Sequence, residues 1–166
     1  STMPICKVFE EVLNATCEPP EKLQCNWTLP PGEKRFKKLK WQMIDWRDHR
    51  ELIGDINKSG VREDLREGLW KKEESRILKL FEEGKRSLSI TTVDIDHDKK
   101  IEHVVRYDLL PCQETPGTMF GVMIPDTKRL DWRFGDLFLK VNSDEGAELM
   151  VYEGRAYMFG WETVPG

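Results

Sequence analysis

Apolar residues recur along the chain with two periods, and the period changes once. Up to about residue 84 the spacing is helical. Residues 4–17 place Ile5, Val8, Phe9, Val12 and Leu13 on one helical face, with Pro4 in the first turn. "DWRDHRELIGDINKSG" (45–60) predicts a second helix, capped by Asp45 or Asp48, buried through Leu52, Ile53 and Ile56, and stopped near Gly60. "VREDLREGLWKKEESRILKLFEEG" (61–84) predicts the longest one. Val61, Leu65, Leu69, Trp70, Ile77, Leu80 and Phe81 trace its apolar face, Glu63 and Asp64 sit at its positive end, and Gly84 ends it.

From Lys85 the apolar period falls to two. "SLSITTVDI" is rich in β-formers, and "IEHVVRYDLL" alternates Ile101, His103, Val105, Tyr107 and Leu109 on one face. "GTMFGVMIP" and "DLFLKVN" predict further short strands. "ELMVYEGRAYMFGW" predicts a closing hairpin that turns at Glu153-Gly154. Helices followed by strands imply an α+β fold: N-terminal helices packed on one face of a C-terminal antiparallel sheet of about five strands. A length of 166 residues suits one domain, 1–166, with a mainly helical part (1–84) and a β-rich part (85–166). Between the first two helices, "CNWTLPPGEKRFKKLKW" reads as irregular or extended chain. Its run of Lys34, Arg35, Lys37, Lys38 and Lys40 would suit an anionic surface. The reading preferred is an arm with Phe36, Leu39 and Trp41 docked inward and the lysines in water.

Composition adds class and partner. Charged residues make up 34% and hydrophobic residues 39%, a balance that can fold around a core. The net charge of −4 lies on the β half, where 10 basic residues meet 14 acidic ones. That balance argues against nucleic acid and suits a basic protein partner. No apolar run reaches the length of a membrane span.

Four cysteines, Cys6, Cys17, Cys25 and Cys112, occur without a CxxC pair and with too few histidines for a zinc site. Two disulfides in an oxidising compartment is the reading adopted, hence a secreted or periplasmic protein. On one helix, Cys6 and Cys17 would lie about 16 Å apart, beyond the limit of about 7 Å between bonded Cα positions. Two pairings stay open: Cys17–Cys25 with Cys6–Cys112, or Cys6–Cys25 with Cys17–Cys112. Asn26-Trp27-Thr28 is a glycosylation sequon, a pattern common by chance.

Catalytic motifs are missing. There is no Gly-rich phosphate loop, no HExxH and no GxSxG, and the three histidines, His49, His97 and His103, form no obvious set. Six tryptophans are many for this length. Trp132 stands in "KRLDWRFGD" between Asp131 and Arg133, a loop composition favoured at binding hot spots, although the plainer reading is that the tryptophans cap the ends of a small core.

The most distinctive phrase is "VDIDHDKKIEHVVRY". Aligned to a calcium loop from Asp94, positions 1, 3 and 5 are Asp94, Asp96 and Asp98, and position 9 is Glu102. Position 6 is Lys99 where such loops place Gly, and position 12 is Val105 where they place a bidentate acid. The plainer reading is a turn whose aspartates accept backbone N–H bonds while Lys99 and Lys100 balance the charge. Over about fifteen residues the phrase resembles the DxDxDG hairpins of FG-GAP and VCBS-type repeats. That resemblance implies calcium on Asp94, Asp96, Asp98 and Glu102, with Lys99 either in a left-handed conformation or in a different turn.

The layout as a whole resembles small periplasmic bacterial proteins, including immunity proteins that block secreted toxins. Its early cysteines, Pro-Pro turn, charged helix, "DIDHD" hairpin and "YEGRAY" hairpin carry that likeness. The resulting expectation is a non-enzymatic protein-binding domain, an inhibitor or immunity protein. Asp94, Asp96, Asp98, Asp131, Trp132 and Arg133 would contact a basic toxin or hydrolase and occlude its active site. A cell-wall or lipid hydrolase and a calcium-stabilised structural module are the alternatives.

Overall fold

The computed structural model describes Val8, Glu11 and residues 34–59, 65–109, 117–137 and 145–162. All four cysteines, the sequon and most of the predicted first helix lie outside these residues. The fold is α+β; among the described residues two helices can be traced in full, with two antiparallel sheets.

The five-stranded sheet has the order β2-β3-β4-β5-β6, built from Gln42–Met43, Arg86–Val93, Glu102–Leu109, Gly117–Ile124 and Arg129–Leu130. The three-stranded sheet has the order β1-β7-β8, from Phe36–Lys38, Glu145–Tyr152 and Arg155–Glu162. Two expectations are corrected here. Strands β1 and β2 precede the helices, and the closing hairpin does not extend the five-stranded meander. It pairs instead with β1, Phe36 opposite Tyr152. The basic arm therefore serves both sheets. Its apolar residues do turn inward: Phe36 is buried against Tyr152, and Leu39 and Trp41 pack on the core. The charge run hid two strands because only every second or third residue contributes to burial.

Asp45 caps a 3₁₀ turn (Trp46–His49) by accepting from Arg47 N at 2.9 Å, and the turn leads into α1 (Arg50–Lys58). Leu52, Ile53 and Ile56 are buried as their spacing requires. Helix α2 (Arg66–Glu82) ends at Gly84, which takes φ +66°. Gly84 N donates to Phe81 O and Lys85 N to Leu80 O, two otherwise orphaned carbonyls. The predicted apolar face of α2 holds only in its second half. Ile77, Leu78 and Phe81 are buried, whereas Leu65 and Leu69 are exposed. Periodicity marks an amphipathic stripe but not where the sheet beneath it stops. Trp70 bridges to α1 across Gly54, where an added Cβ would lie 3.1 Å from the indole.

Alternation in the strands sorts their residues to two faces. Leu88, Val105, Tyr107, Met123 and Leu130 meet the helices in one buried cluster. Val104 and Phe120 point the other way and join Leu149 and Ala156 of the second sheet in another. The five-stranded sheet is thus packed on both faces. Two polar links fasten its helix side. Asp55 of α1 is 2% exposed and accepts both Arg129 Nε and Nη2 at 2.6 Å, with Leu130 N at 3.1 Å. The buried Tyr107 hydroxyl accepts from Arg86 and, at 3.3 Å, from Asn57 Nδ2. Burial pushes the Tyr107 pKa up, and the Arg86 charge opposes that shift. Among the described residues, no helix is long and apolar enough to cross a membrane.

Candidate functional site

The aspartate phrase joins β3 to β4. Val93 pairs with Glu102, so residues 94–101 form the loop between them. Each acid takes a backbone N–H. Asp94 Oδ2 accepts Lys99 N (3.0 Å), Asp96 Oδ1 accepts Asp98 N (3.1 Å), Asp98 Oδ1 accepts Lys100 N (2.8 Å) and Glu102 Oε2 accepts Ile95 N (3.0 Å). These bonds hold a backbone that turns left-handed at His97 (φ 66°) and Lys99 (φ 73°). Lys99 thus adopts the conformation that Gly would take at position 6 of a calcium loop.

The four predicted ligands separate. Carboxylate oxygens of Asp94, Asp96 and Glu102 lie within 4.8 Å of one another. Asp98 is engaged elsewhere: Lys100 Nζ donates to its Oδ2 at 2.5 Å. That hydrogen bond holds the Asp98 carboxyl below its ordinary pKa and raises Lys100 in return. Asp94 Oδ1 is buried and without a hydrogen-bond partner. Three carboxylates with one unused oxygen could hold a hard cation, although calcium takes 6–8 oxygens and would need backbone or water to complete its shell.

The loop is seated on the second sheet. Val93 and Ile95 pack with Leu149, Ala156 and Met158. His97 Nε2 lies 3.1 Å from Ala156 O, and its ring is 5.7 Å from that of Tyr157. The hairpin carrying Ala156 turns tightly, with Glu153 (φ 48°) and Gly154 (φ 79°) both left-handed, as a two-residue turn between twisted strands requires.

Asp131, Trp132 and Arg133 follow β6. Asp131 N donates to Val122 O at 2.7 Å, which draws the segment against β5. The buried Asp131 carboxylate takes Arg133 N (3.1 Å), Nε (2.9 Å) and Nη2 (2.5 Å), so a mostly exposed arginine is anchored at its base. The Arg133 hydrogen bond lowers the Asp131 pKa. Asp131 raises that of Arg133, with smaller contributions from Asp96 and Glu102. Strand register brings the acidic loop and this segment to the same end of the sheet: Val93 pairs with Glu102, His103 with Met123 and Met123 with Leu130. Trp132 is 45% exposed, and the Arg66 guanidinium lies 5.4 Å from its ring centroid.

Sequence reasoning missed three members of this end. Ile101, 62% exposed, and Ile124, at the edge of exposure, flank the strand ends, and Arg66 reaches in from α2. Ile101 follows two lysines and an acidic turn, so counting it into the strand alternation concealed that it precedes β4. Trp41, Trp46 and Trp70, in contrast, are partly buried against the two clusters. Compared with known protein families, curated proteins and solved structures, the chain matches none of them.

Proposed function

We propose that the chain is a secreted or periplasmic, non-enzymatic protein-binding domain that uses the loop end of the five-stranded sheet as its contact face. The observation that carries this reading is Trp132, nearly half exposed beside an Arg133 pre-anchored by buried Asp131. An aromatic and an arginine held in place lose little entropy on binding, the property that concentrates binding energy in few residues. Ile101 and Ile124 add apolar area, and Asp94, Asp96 and Glu102 add negative charge. A basic toxin or hydrolase is the matching partner, with its active site occluded, as an immunity protein would do. In this reading the helices, packed on one face of the same sheet, serve as support, and α2 lends Arg66 to the contact end.

The test is capture of a partner from the native host's envelope fraction on immobilised protein, comparing wild type with W132A and with T92A as a surface control. A basic protein retained by wild type and T92A, and weakened about 30-fold by W132A, supports the reading; that factor corresponds to a hot spot of about 2 kcal/mol. Equal retention by all three refutes it.

A second reading has its own observation. The unpartnered Asp94 Oδ1 beside Asp96 and Glu102 supports a calcium-stabilised loop. Calcium at about 100 times its dissociation constant would then add about 2.7 kcal/mol of stability. D94N and E102Q would remove the gain. No heat on titration and no change in melting temperature would dispose of the ion.

A further inference from the structure

We propose that the face of the five-stranded sheet turned away from the helices holds a small oxyanion site, where Ser89, Trp41 and Arg106 receive the carboxylate of a ligand. The site is separate from the loop end and does not rest on the protein-binding reading.

Three strands supply its floor. Ser89 pairs with Arg106, and Arg106 with Phe120, so all three side chains leave the sheet on one face in one row. Ser87, Asp108 and Thr118 form the neighbouring row in the same way. The Asp108 carboxylate already takes three donors. Thr118 Oγ1 donates at 3.0 Å, Arg106 Nε at 3.0 Å and Ser87 Oγ at 3.3 Å. This fixes the Arg106 guanidinium through its Nε edge and leaves its two terminal nitrogens without a hydrogen bond among the described residues. The Trp41 ring closes over the row, 5.0 Å from the Arg106 guanidinium and 5.9 Å from the Phe120 ring.

Two of the three unsatisfied buried polar atoms among the described residues belong here: Ser89 Oγ and Trp41 Nε1. Ser89 is only 1% exposed. An indole N–H can only donate, and a serine hydroxyl donates readily. Burying such groups unpaired costs about 1–3 kcal/mol each, so orphaned donors mark a place where an acceptor belongs. The guanidinium adds positive charge and a planar pair of donors that suit a carboxylate. Among the described residues the carboxylate beside this row, Asp108, is already engaged by three donors of its own. Arg106 and Asp108 are partly exposed, which gives the ligand its entrance beside the rim of the second sheet.

The test follows the Trp41 indole N–H by two-dimensional NMR of ¹⁵N-labelled protein, with the resonance assigned by W41F. Sodium acetate is the first probe and inorganic phosphate the second, with sodium chloride matching ionic strength. Expected is a saturable shift of the Trp41 signal with acetate but not with chloride, weakened at least fivefold in S89A and in R106K. T92A, at an exposed position on the other side of β3, should behave as wild type. A phosphate response in place of acetate would overturn the carboxylate assignment. No shift with either probe, or an equal shift in S89A and R106K, would overturn the site and leave the two donors to buried water. S89A removes one hydroxyl, so the test survives even if R106K fails to fold.

Discussion

On the helix side of the five-stranded sheet, buried polar groups are matched. Asp55 takes three hydrogen bonds from Arg129 and Leu130, and Tyr107 takes two from Arg86 and Asn57. On the opposite side Ser89 Oγ and Trp41 Nε1 are buried with no partner, and at the loop end so is Asp94 Oδ1. The first side fixes two helices to a sheet, and among the described residues no buried side-chain polar atom there lacks a partner. The other regions keep unspent hydrogen-bonding capacity next to partly open surface. Unspent capacity weakens a fold, so where it persists it points to what the molecule contacts.

The comparison can be broken first at Asp55. D55A would leave Leu130 N unpaired and strip Arg129, 43% exposed, of its bidentate partner, with only Glu51 left at 3.4 Å, and a loss of about 2–4 kcal/mol is expected. Urea unfolding measures it. A loss under 1 kcal/mol would mean that α1 is not held by this pair. Y107F comes next. It keeps the ring among Phe81, Leu88 and Met123 but strips the acceptor from Arg86 and Asn57. About 1–3 kcal/mol should be lost. R86M combined with Y107F should recover part of that, because no charge is then left facing the ring.

Much of this helix side was legible in the sequence. Leu52, Ile53 and Ile56 declared α1 by spacing and Gly84 the end of α2, and on the second sheet Glu153-Gly154 declared the hairpin turn. The loop between β3 and β4 was legible too, down to the left-handed Lys99. What escaped notice depends on partners far along the chain. Nothing near Asp55 announces that it is buried, since its partner Arg129 lies 74 residues away. Phe36 pairs with Tyr152 in a second sheet, and no local pattern states which strands meet. Leu65 and Leu69 fit a core stripe by period yet extend past the sheet that would cover them. Of the binding end, Asp131, Trp132 and Arg133 could be named from composition. That they share an end of the sheet with the β3–β4 loop could not, because it needs the strand order.

A smaller effect separates the loop end from both faces. Arg133 holds the Asp131 carboxyl below its ordinary range. A folded pKa below the unfolded value of about 3.9 means that this pair stabilises above that pH, and that the contribution fades as pH falls through the folded pKa. Unfolding measured between about pH 5 and pH 2 should therefore show a shallower acid loss in D131N than in wild type. Identical acid profiles would show that the clamp contributes nothing, and Arg133 would lose its claim to be pre-anchored.

The smallest expected change is also the one that bears most directly on the contrast between the faces. S89A deletes a hydroxyl that is 1% exposed and unpartnered. If the oxygen is orphaned in the free protein, its removal also removes a desolvation penalty. Stability should then stay within about 0.5 kcal/mol of wild type or rise by up to about 1 kcal/mol. A buried serine that gave its hydrogen bond to the fold would instead lose about 1 kcal/mol on truncation. Urea midpoints at equal m-value resolve that difference. A clear loss in S89A would mean that a fixed water already satisfies this hydroxyl. The two faces would then be equally complete, and their contrast would no longer point to a ligand.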